Sequence, residues 1–128
     1  MLIDNSTITG NDAGHFSGLF FGAVGKISNS TIAGNTSHVS PQGTGIFILA
    51  GTLELESTLI AANTADAGAG REPDDVGANG SSELTGANNL IFSTSTTVPA
   101  DTLVGIDPLL LPLADNGGAD DYPGPVRE

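Results

Sequence analysis

The stretch NSTIAGN at residues 29–35 decides the fold, because the chain contains two further copies of it. NSTITGN begins at Asn5 and the more divergent STLIAAN begins at Ser57, so the copies start 24 (29 − 5) and 28 (57 − 29) residues apart. Each copy ends in Asn, has an apolar residue at its fourth position and follows another apolar residue by two positions. Self-similarity at such a period is the signature of a solenoid, in which each repeat forms one structural unit.

The spacing of the apolar residues predicts a bend inside each repeat. Ile27 and Ile32 are five positions apart, an odd step that would place them on opposite faces of one continuous strand. A corner near Asn29 returns both side chains to the interior, and the same corner falls near Asn5 and Ser57. Each repeat is therefore predicted to form two short strands, with a second turn at its closing Asn.

A third strand is predicted between the copies. GLFFG at residues 18–22 and GIFIL at residues 45–49 begin seven and ten residues after a closing Asn. Three short strands and three corners in about 24 residues predict one coil of an all-β parallel β-helix, a single-stranded solenoid of about four coils. An antiparallel sandwich is the alternative, but hairpins would not place the same residue types at the same offset three times.

Stacked coils lie about 4.8 Å apart, so equivalent residues come to lie above one another. We expect an apolar column inside and an asparagine stack whose side-chain amides hydrogen-bond from coil to coil. Asn also tolerates the left-handed backbone that a sharp corner needs. The predicted core column is Ile3, Ile8, Ile27, Ile32, Leu55 and Ile60, and the predicted turn stack is Asn5, Asn11, Asn29, Asn35 and Asn63.

The domain prediction is a β-helix over residues 1–118 followed by an acidic tail, residues 119–128, predicted to be disordered. The polar, Gly-rich residues 66–82 are predicted to form a loop that projects from the third coil. A fourth coil resumes at Leu84, where Asn88 or Asn89 is a candidate to continue the corner stack. The Pro-rich residues 106–118 are predicted to cap the end of the stack, because Pro is excluded from central strands.

The charge balance constrains the partners. The chain has 15 acidic residues, three basic ones and a formal net charge of −12. Nucleic acid is not expected as a partner, since its binding depends on Lys and Arg, and neither is anionic lipid. The acidic surface indicates solubility, with attraction of Ca²⁺ as the alternative. There is no Cys, no signal peptide is recognisable at Met1 and no run is long enough for membrane insertion.

The repeats are followed by GANNLI at residues 86–91 and IDPLLLPLADNGG at residues 106–118. Together these motifs resemble bacterial right-handed parallel β-helix proteins of the choice-of-anchor Q type, which are similar to polymorphic outer-membrane protein repeats of surface adhesins. The resemblance covers residues 2–118, although Leu111 stands where Gly is usual. It implies a right-handed coil, an extracellular or cell-surface setting and a stalk or binding role, and the chain resembles a C-terminal fragment of such a protein.

The candidate chemical groups are few. Arg71 with Asp74 and Asp75 is the one local match to the clustered acids and base of a Ca²⁺-dependent polysaccharide lyase, and Asp115 is a further candidate Ca²⁺ ligand. The favoured interpretation is a solvated charged loop without metal or catalytic residues. His15 and His38 follow closing asparagines and could stack one coil apart, with exposed turn histidines as the favoured interpretation.

We therefore expect a non-catalytic surface module that acts as a spacer or as a carbohydrate- or protein-binding face, without a cofactor. Two alternatives stay open: a degenerate or partial polysaccharide lyase or hydrolase, and a gene-model fragment without independent function. Polysaccharide or a surface protein is the expected partner. The first coil, with Leu2 and Ile3, lacks an evident cap, which predicts end-to-end self-association through this coil.

Overall fold

Short parallel strands, stacked coil upon coil, make up the molecule. A computed structural model describes residues 1–39, 42–66, 68 and 70–112. This part of the chain is all-β and forms a parallel β-solenoid of about three turns. Within it there is no helix of the length and apolar character needed to cross a membrane.

Three coils and a partial fourth follow one another along the chain. The first coil contains β1 (Leu2–Asp4), β2 (Thr7–Thr9), β3 (Asp12–Ala13) and β4 (Leu19–Phe21). The second contains β5 (Gly25–Ser28), β6 (Thr31–Ala33), β7 (Thr36–Ser37) and β8 (Ile46–Ile48). The third contains β9 (Gly51–Glu56), β10 (Leu59–Ala61), β11 (Thr64–Asp66), β12 (Arg71–Pro73) and β13 (Val76–Ala78). The last strands are β14 (Ser82–Ala87), β15 (Leu90–Ile91) and β16 (Leu103–Val104).

Equivalent strands pair into four sheets along the solenoid axis. Sheet A has the order β1-β5-β9-β14, sheet B β2-β6-β10-β15-β16, sheet C β3-β7-β11-β12 and sheet D β4-β8-β13. All pairs are parallel except β11 with β12. The register stacks the repeats as their sequences align, with Ile27 between Ile3 and Leu55 in sheet A and Ile32 between Ile8 and Ile60 in sheet B.

The apolar column fills the interior of this stack. The side chains of Ile27, Ile32, Leu55 and Ile60 are fully buried, and Ile91 continues the column in the fourth coil. Ile3 and Ile8, in the first coil, pack against the core but are only partly buried. Their strands, β1 and β2, have a neighbour on one side only among the residues described, so one flank of each isoleucine is open.

The first two coils have four strands each and the third has five, not the three per coil predicted from the sequence. The additional strands are β3, β7 and β11, which follow the closing Asn of each repeat and form sheet C. Two of them contain only two residues, too few for the alternation of apolar and polar side chains that identifies a strand. The predicted third strands are β4 and β8, which pair residue for residue in sheet D.

The segment at residues 66–82, predicted to be one projecting loop, is divided. Only its first part leaves the coil, as an antiparallel hairpin in which Asp66 pairs with Arg71. β13 then returns to sheet D with Val76 fully buried, and Ser82 begins β14 of sheet A. The sequence did not predict β13, because the segment is polar and Gly-rich and β13 contains a single large apolar side chain.

The Pro-rich segment also differs from the prediction. Leu110, Leu111 and Pro112 lie beside Thr7 and Thr31, against the outer face of sheet B and not over the end of the stack. At the end of the stack formed by the fourth coil, the outermost strand of sheet B is β16, which pairs in parallel with β15. Residues 113–118 of the predicted cap and the predicted acidic tail, 119–128, lie outside the described residues.

Candidate functional site

Two corners flank sheet B in every coil, and they use asparagine in different ways. The first corner lies between sheets A and B and is occupied in successive coils by Asn5, Asn29, Ser57 and Asn88. These four residues have positive φ angles of 47°, 49°, 50° and 59°, and their side chains are exposed. Asn is among the residues that enter this left-handed region most readily, so the first corner uses its backbone tolerance.

The second corner lies between sheets B and C, where each repeat closes on Asn11, Asn35 or Asn63. At this corner the left-handed residue is the one before the asparagine: Gly10, Gly34 or Ala62, with φ of 69°, 68° and 60°. The tolerance of Asn for a left-handed backbone is therefore not what the second corner uses. Asn35 and Asn63 instead turn their side chains inward and are fully buried.

These inward side chains form a continuous line of hydrogen bonds, which we call the amide column: Asn11, Asn35, Asn63 and Asp75. Asn11 donates to Asn35 Oδ1 through its backbone N and its Nδ2, at 3.1 and 2.9 Å. Asn35 donates in the same two ways to Asn63 Oδ1, at 3.1 and 2.8 Å. In both pairs of asparagines the donor therefore lies in one coil and the acceptor in the next coil along the chain.

Asp75 ends the amide column as an acceptor. Its Oδ1 accepts from the backbone N and the Nδ2 of Asn63, at 2.9 and 2.8 Å, and its Oδ2 accepts from the backbone N of Ser93 at 3.0 Å. The side chain is fully buried. Burial raises the pKa of the Asp75 carboxyl above its ordinary value, against the opposing hydrogen bonds from Asn63 and Ser93.

Asp74 faces a different set of donors. Its carboxylate accepts from the backbone N–H groups of Gln42, Gly43 and Thr44 and from the Thr44 hydroxyl. This turn lies against Gly77, where a Cβ would stand 2.2 Å from the Gln42 carbonyl oxygen. Only glycine permits that approach, so Gly77 lets the turn close around Asp74.

The two acids are therefore structural groups, and the favoured interpretation of them as part of a solvated loop is wrong. Their lone pairs face N–H donors, whose positive hydrogens would oppose a Ca²⁺ ion. Arg71 is exposed on β12 and makes no ion pair with any acid the structure describes. No cluster of three metal-ligating side chains occurs among the described residues, and Asp115 lies outside them.

The two histidines do not share a column. Ala13 pairs with Ser37, so His38 lies level with Gly14 and not with His15. His38 Nε2 is 2.5 Å from Asp12 Oδ1 on the exposed surface of sheet C. The His15 ring lies beside Phe16, with their centroids 5.8 Å apart.

An aromatic strip on the outer face of sheet D is the most distinctive surface of the described chain. It consists of Phe16, Phe20 and Phe47. Phe20 pairs with Phe47 in adjacent coils; Phe20 is 53 % exposed and Phe16 half-buried, whereas Phe47 is only 8 % exposed. The Phe16 ring stacks on Phe47 with the centroids 4.7 Å apart and the planes at 21°, and it lies 5.1 Å from Phe20.

Phe16 reaches this position through an unusual backbone. Its φ of 44° lies in the left-handed region, which a bulky residue adopts at a cost of about 1–3 kcal/mol. Such strain persists where the surroundings fix the conformation, and it concentrates at functional sites. The signal for Phe20 and Phe47 was present in the sequence, because each is the third residue of its Gly-led segment. Nothing in the sequence indicated that Phe16 would join them.

A shallow groove of about 340 Å³ continues from the aromatic strip toward the fourth coil. It is lined by Phe47, Gln42, Ala78, Asn79 and Ser95. A second depression of about 430 Å³ shares Ala78, Asn79 and Ser95 and extends past Glu83 to Thr97. The side chains of Gln42 and Asn79 are exposed, and their amides form no hydrogen bond to any residue that the structure describes.

Another cavity, of about 410 Å³, lies between sheet B and residues 110–112. Thr7, Thr31, Ala33 and Leu110 line it, without aromatic or charged groups, and the chain itself covers it.

No protein-family model, no curated protein and no solved structure matches this chain.

Proposed function

We propose that the chain is a non-catalytic β-solenoid module that binds a neutral saccharide along sheet D. The observation that carries this proposal is the aromatic strip, in which Phe16 is held in a strained backbone beside the exposed Phe20. Aromatic rings provide flat apolar surfaces, and a sugar ring presents C–H groups on its faces. Stacking of the two removes apolar surface from water on both sides.

The groove supplies the polar half of such a site. Binding sites combine apolar walls with a few polar groups that orient the ligand. Gln42 and Asn79 each present an amide with donors and an acceptor, and Ser95 presents a hydroxyl beside Phe47. A saccharide chain that stacks on the aromatic strip would extend into this groove with its hydroxyl groups facing these side chains.

Charge favours a neutral ligand over an acidic polysaccharide. The formal net charge of the chain is −12, and Glu83 lies at the far end of the groove. Uronate or sulfate groups would meet like charge along this path, which opposes binding. The acids Asp74 and Asp75 are occupied by structural hydrogen bonds, which supports binding without bond cleavage.

The setting that we propose for this module is the bacterial cell surface. The support is the resemblance of GANNLI and of the segment at residues 106–118 to choice-of-anchor β-helix proteins. A stiff solenoid that presents a lateral groove is suited to holding a binding face away from an anchoring point.

The test is calorimetric titration with neutral oligosaccharides (β-glucan, xylan and mannan fragments) and with oligogalacturonate. We expect binding of at least one neutral series and none of oligogalacturonate. Phe20→Ala should weaken that binding about 2- to 10-fold, the equivalent of about 0.5–1.5 kcal/mol for one aromatic contact. Val24→Ala removes a side chain that is 73 % exposed and outside the strip, and it should leave affinity unchanged. Absence of binding across the neutral panel, or equal affinity in the Phe20 variant, would refute the proposal.

A further inference from the structure

The turn that joins β13 to β14 contains an asparagine followed by a glycine. Asn79 stands at its first position, and the backbone N–H of Ser82, at its last, donates to the Asn79 carbonyl at 2.9 Å. The Asn79 backbone N–H donates to the Ile48 carbonyl at 2.9 Å, which ties the turn to the neighbouring coil. Asn79 and Gly80 are both exposed. The fold therefore holds an Asn-Gly pair at the surface.

The two groups of this pair that can react with each other have no partner in the described chain. They are the side-chain amide of Asn79 and the backbone nitrogen of Gly80. Asn is a chemically labile residue, because the backbone nitrogen that follows it can attack its side-chain carbonyl carbon. Hydrogen bonds to either group restrain this approach, and a bulky side chain on the following residue obstructs it.

Neither the backbone angle nor the packing requires glycine at position 80. The φ angle of Gly80 lies outside the left-handed region, and a Cβ built there would have no atom of the described chain within 4 Å. Gly77 differs, since a Cβ on it would stand 2.2 Å from the Gln42 carbonyl oxygen. What Gly80 contributes is the absence of a Cβ, which leaves its nitrogen open to approach.

Other exposed asparagines of the described chain lack one or more of these features. Asn5 and Asn29 donate through Nδ2 to the Asp4 carboxylate, at 3.2 and 3.0 Å, and each precedes a serine. Asn88 is the nearest match, because it is exposed and its side-chain amide forms no hydrogen bond within the part of the chain that the structure describes. It precedes Asn89, however, whose side chain is buried. Asn88 is therefore an internal control.

We infer that Asn79–Gly80 is a site of spontaneous modification, at which the chain converts its own asparagine to aspartate and isoaspartate. The Gly80 nitrogen gives its proton to solvent and bonds to Asn79 Cγ, which closes a five-membered succinimide. The bond from Cγ to the amide nitrogen breaks, and that nitrogen leaves as ammonia with a proton from water. A second water opens the ring at either carbonyl, so a carboxyl group replaces the amide.

The modification changes the charge of the groove beside sheet D. Asn79 lines both depressions there, and Glu83 lines one of them. A new carboxylate adds to the formal charge of −12 and replaces an amide, which can donate hydrogen bonds, with a group that only accepts them. Weaker binding of a neutral saccharide follows. This consequence rests on the proposed function, whereas the modification itself does not.

The experiment incubates the purified full chain at neutral and at mildly alkaline pH and follows each asparagine by peptide mass spectrometry with fragmentation. We expect conversion at Asn79 to be at least about 10-fold faster than at Asn88, since only Asn79 precedes a residue without Cβ. The rate should rise with pH, because the Gly80 nitrogen attacks after losing its proton. Fragmentation separates Asn79 from Asn116, which begins the other Asn-Gly pair of the sequence and lies outside the described residues.

The matched variant is Gly80→Ala, because open space surrounds a Cβ at this position and the fold should persist, as circular dichroism would verify. We expect it to slow conversion at Asn79 about 10-fold. A synthetic peptide of residues 76–84 should convert at a rate comparable to that of the folded chain. An Asn79 that stays intact in the folded chain while the peptide converts would overturn the inference, as would equal rates in Gly80→Ala or at Asn88. Saccharide binding plays no part in these measurements, so the two proposals fail separately.

Discussion

The two corners of each coil contain the same residue type but depend on different properties of it. Asn29, at the first corner, is exposed, and its φ of 49° is the feature that turns the chain. At the second corner it is Gly34 that adopts the left-handed angle. Asn35 is fully buried, and the corner depends on the hydrogen bonds of its side-chain amide. A repeated asparagine in a solenoid therefore does not by itself distinguish a backbone role from a side-chain role.

The largest effect that tests this difference is expected at the second corner. Asn35→Ala removes the acceptor of Asn11 and the donors to Asn63 Oδ1 and the Ile8 carbonyl, and it leaves a cavity. We expect a loss of about 2–4 kcal/mol in the free energy of unfolding, measured by denaturant titration. Asn35→Gly should not recover it, because the backbone at Asn35 needs no left-handed angle. Recovery by glycine would show that the two corners work alike.

A smaller effect with the opposite rescue is expected at the first corner. In Asn29→Ala the left-handed position is occupied by alanine, which has a Cβ but no side-chain group that can hydrogen-bond to the nearby backbone. We expect the free energy of unfolding to fall by about 1–2 kcal/mol. Asn29→Gly should restore most of that stability, since glycine adopts positive φ freely. Both variants are measured by the same denaturant titration. If Asn29→Gly is as unstable as Asn29→Ala, the side chain, and not the backbone, is what the first corner requires.

The smallest effect concerns the last position of the amide column and depends on pH. The pKa of Asp75 is raised in the folded chain above its ordinary 3.8, so the folded state holds the proton more tightly than the unfolded state. The stability that this proton contributes is complete below the ordinary pKa and is lost as the pH rises through the raised value. Asp75→Asn has no titratable group at this position, so its stability should not decrease in this way as the pH rises.

The measurement is the difference in unfolding free energy between the wild type and Asp75→Asn across that pH range. The wild type should become less stable relative to the variant as the pH rises. Val24→Ala, at an exposed side chain without a titratable group, provides the control and should show no such trend. A difference that stays constant with pH would contradict the raised pKa of the buried Asp75 carboxyl.

The repeats were sufficient to predict the solenoid but not all of its parts. The odd step from Ile27 to Ile32 predicted the first corner, and the structure places a left-handed residue at Asn29. Sheet C escaped prediction because strands of two residues carry no periodicity. The burial of Asp74 and Asp75 could not be predicted either, since it depends on contacts with Gly43 and Asn63, 31 and 12 residues away.

The candidate site divides in a similar way. Phe20 and Phe47 occupy equivalent places in two repeated segments, so their adjacency follows from the register. Phe16 lies outside any repeat and joins them through a backbone angle that its residue type disfavours. Local preference and tertiary structure disagree at this residue, and such disagreements are expected where a protein uses a site.

The single direction of the amide column has an electrostatic consequence. Each buried amide of the column, Asn35 and Asn63, directs its oxygen toward the first coil and an N–H toward the last, so their dipoles add along the solenoid axis. The positive pole of this array lies where Asp75 accepts its hydrogen bonds, much as an acidic side chain caps the N-terminus of an α-helix. A carboxylate is therefore matched to this end of the column, while the end at Asn11 is a negative pole that favours donors.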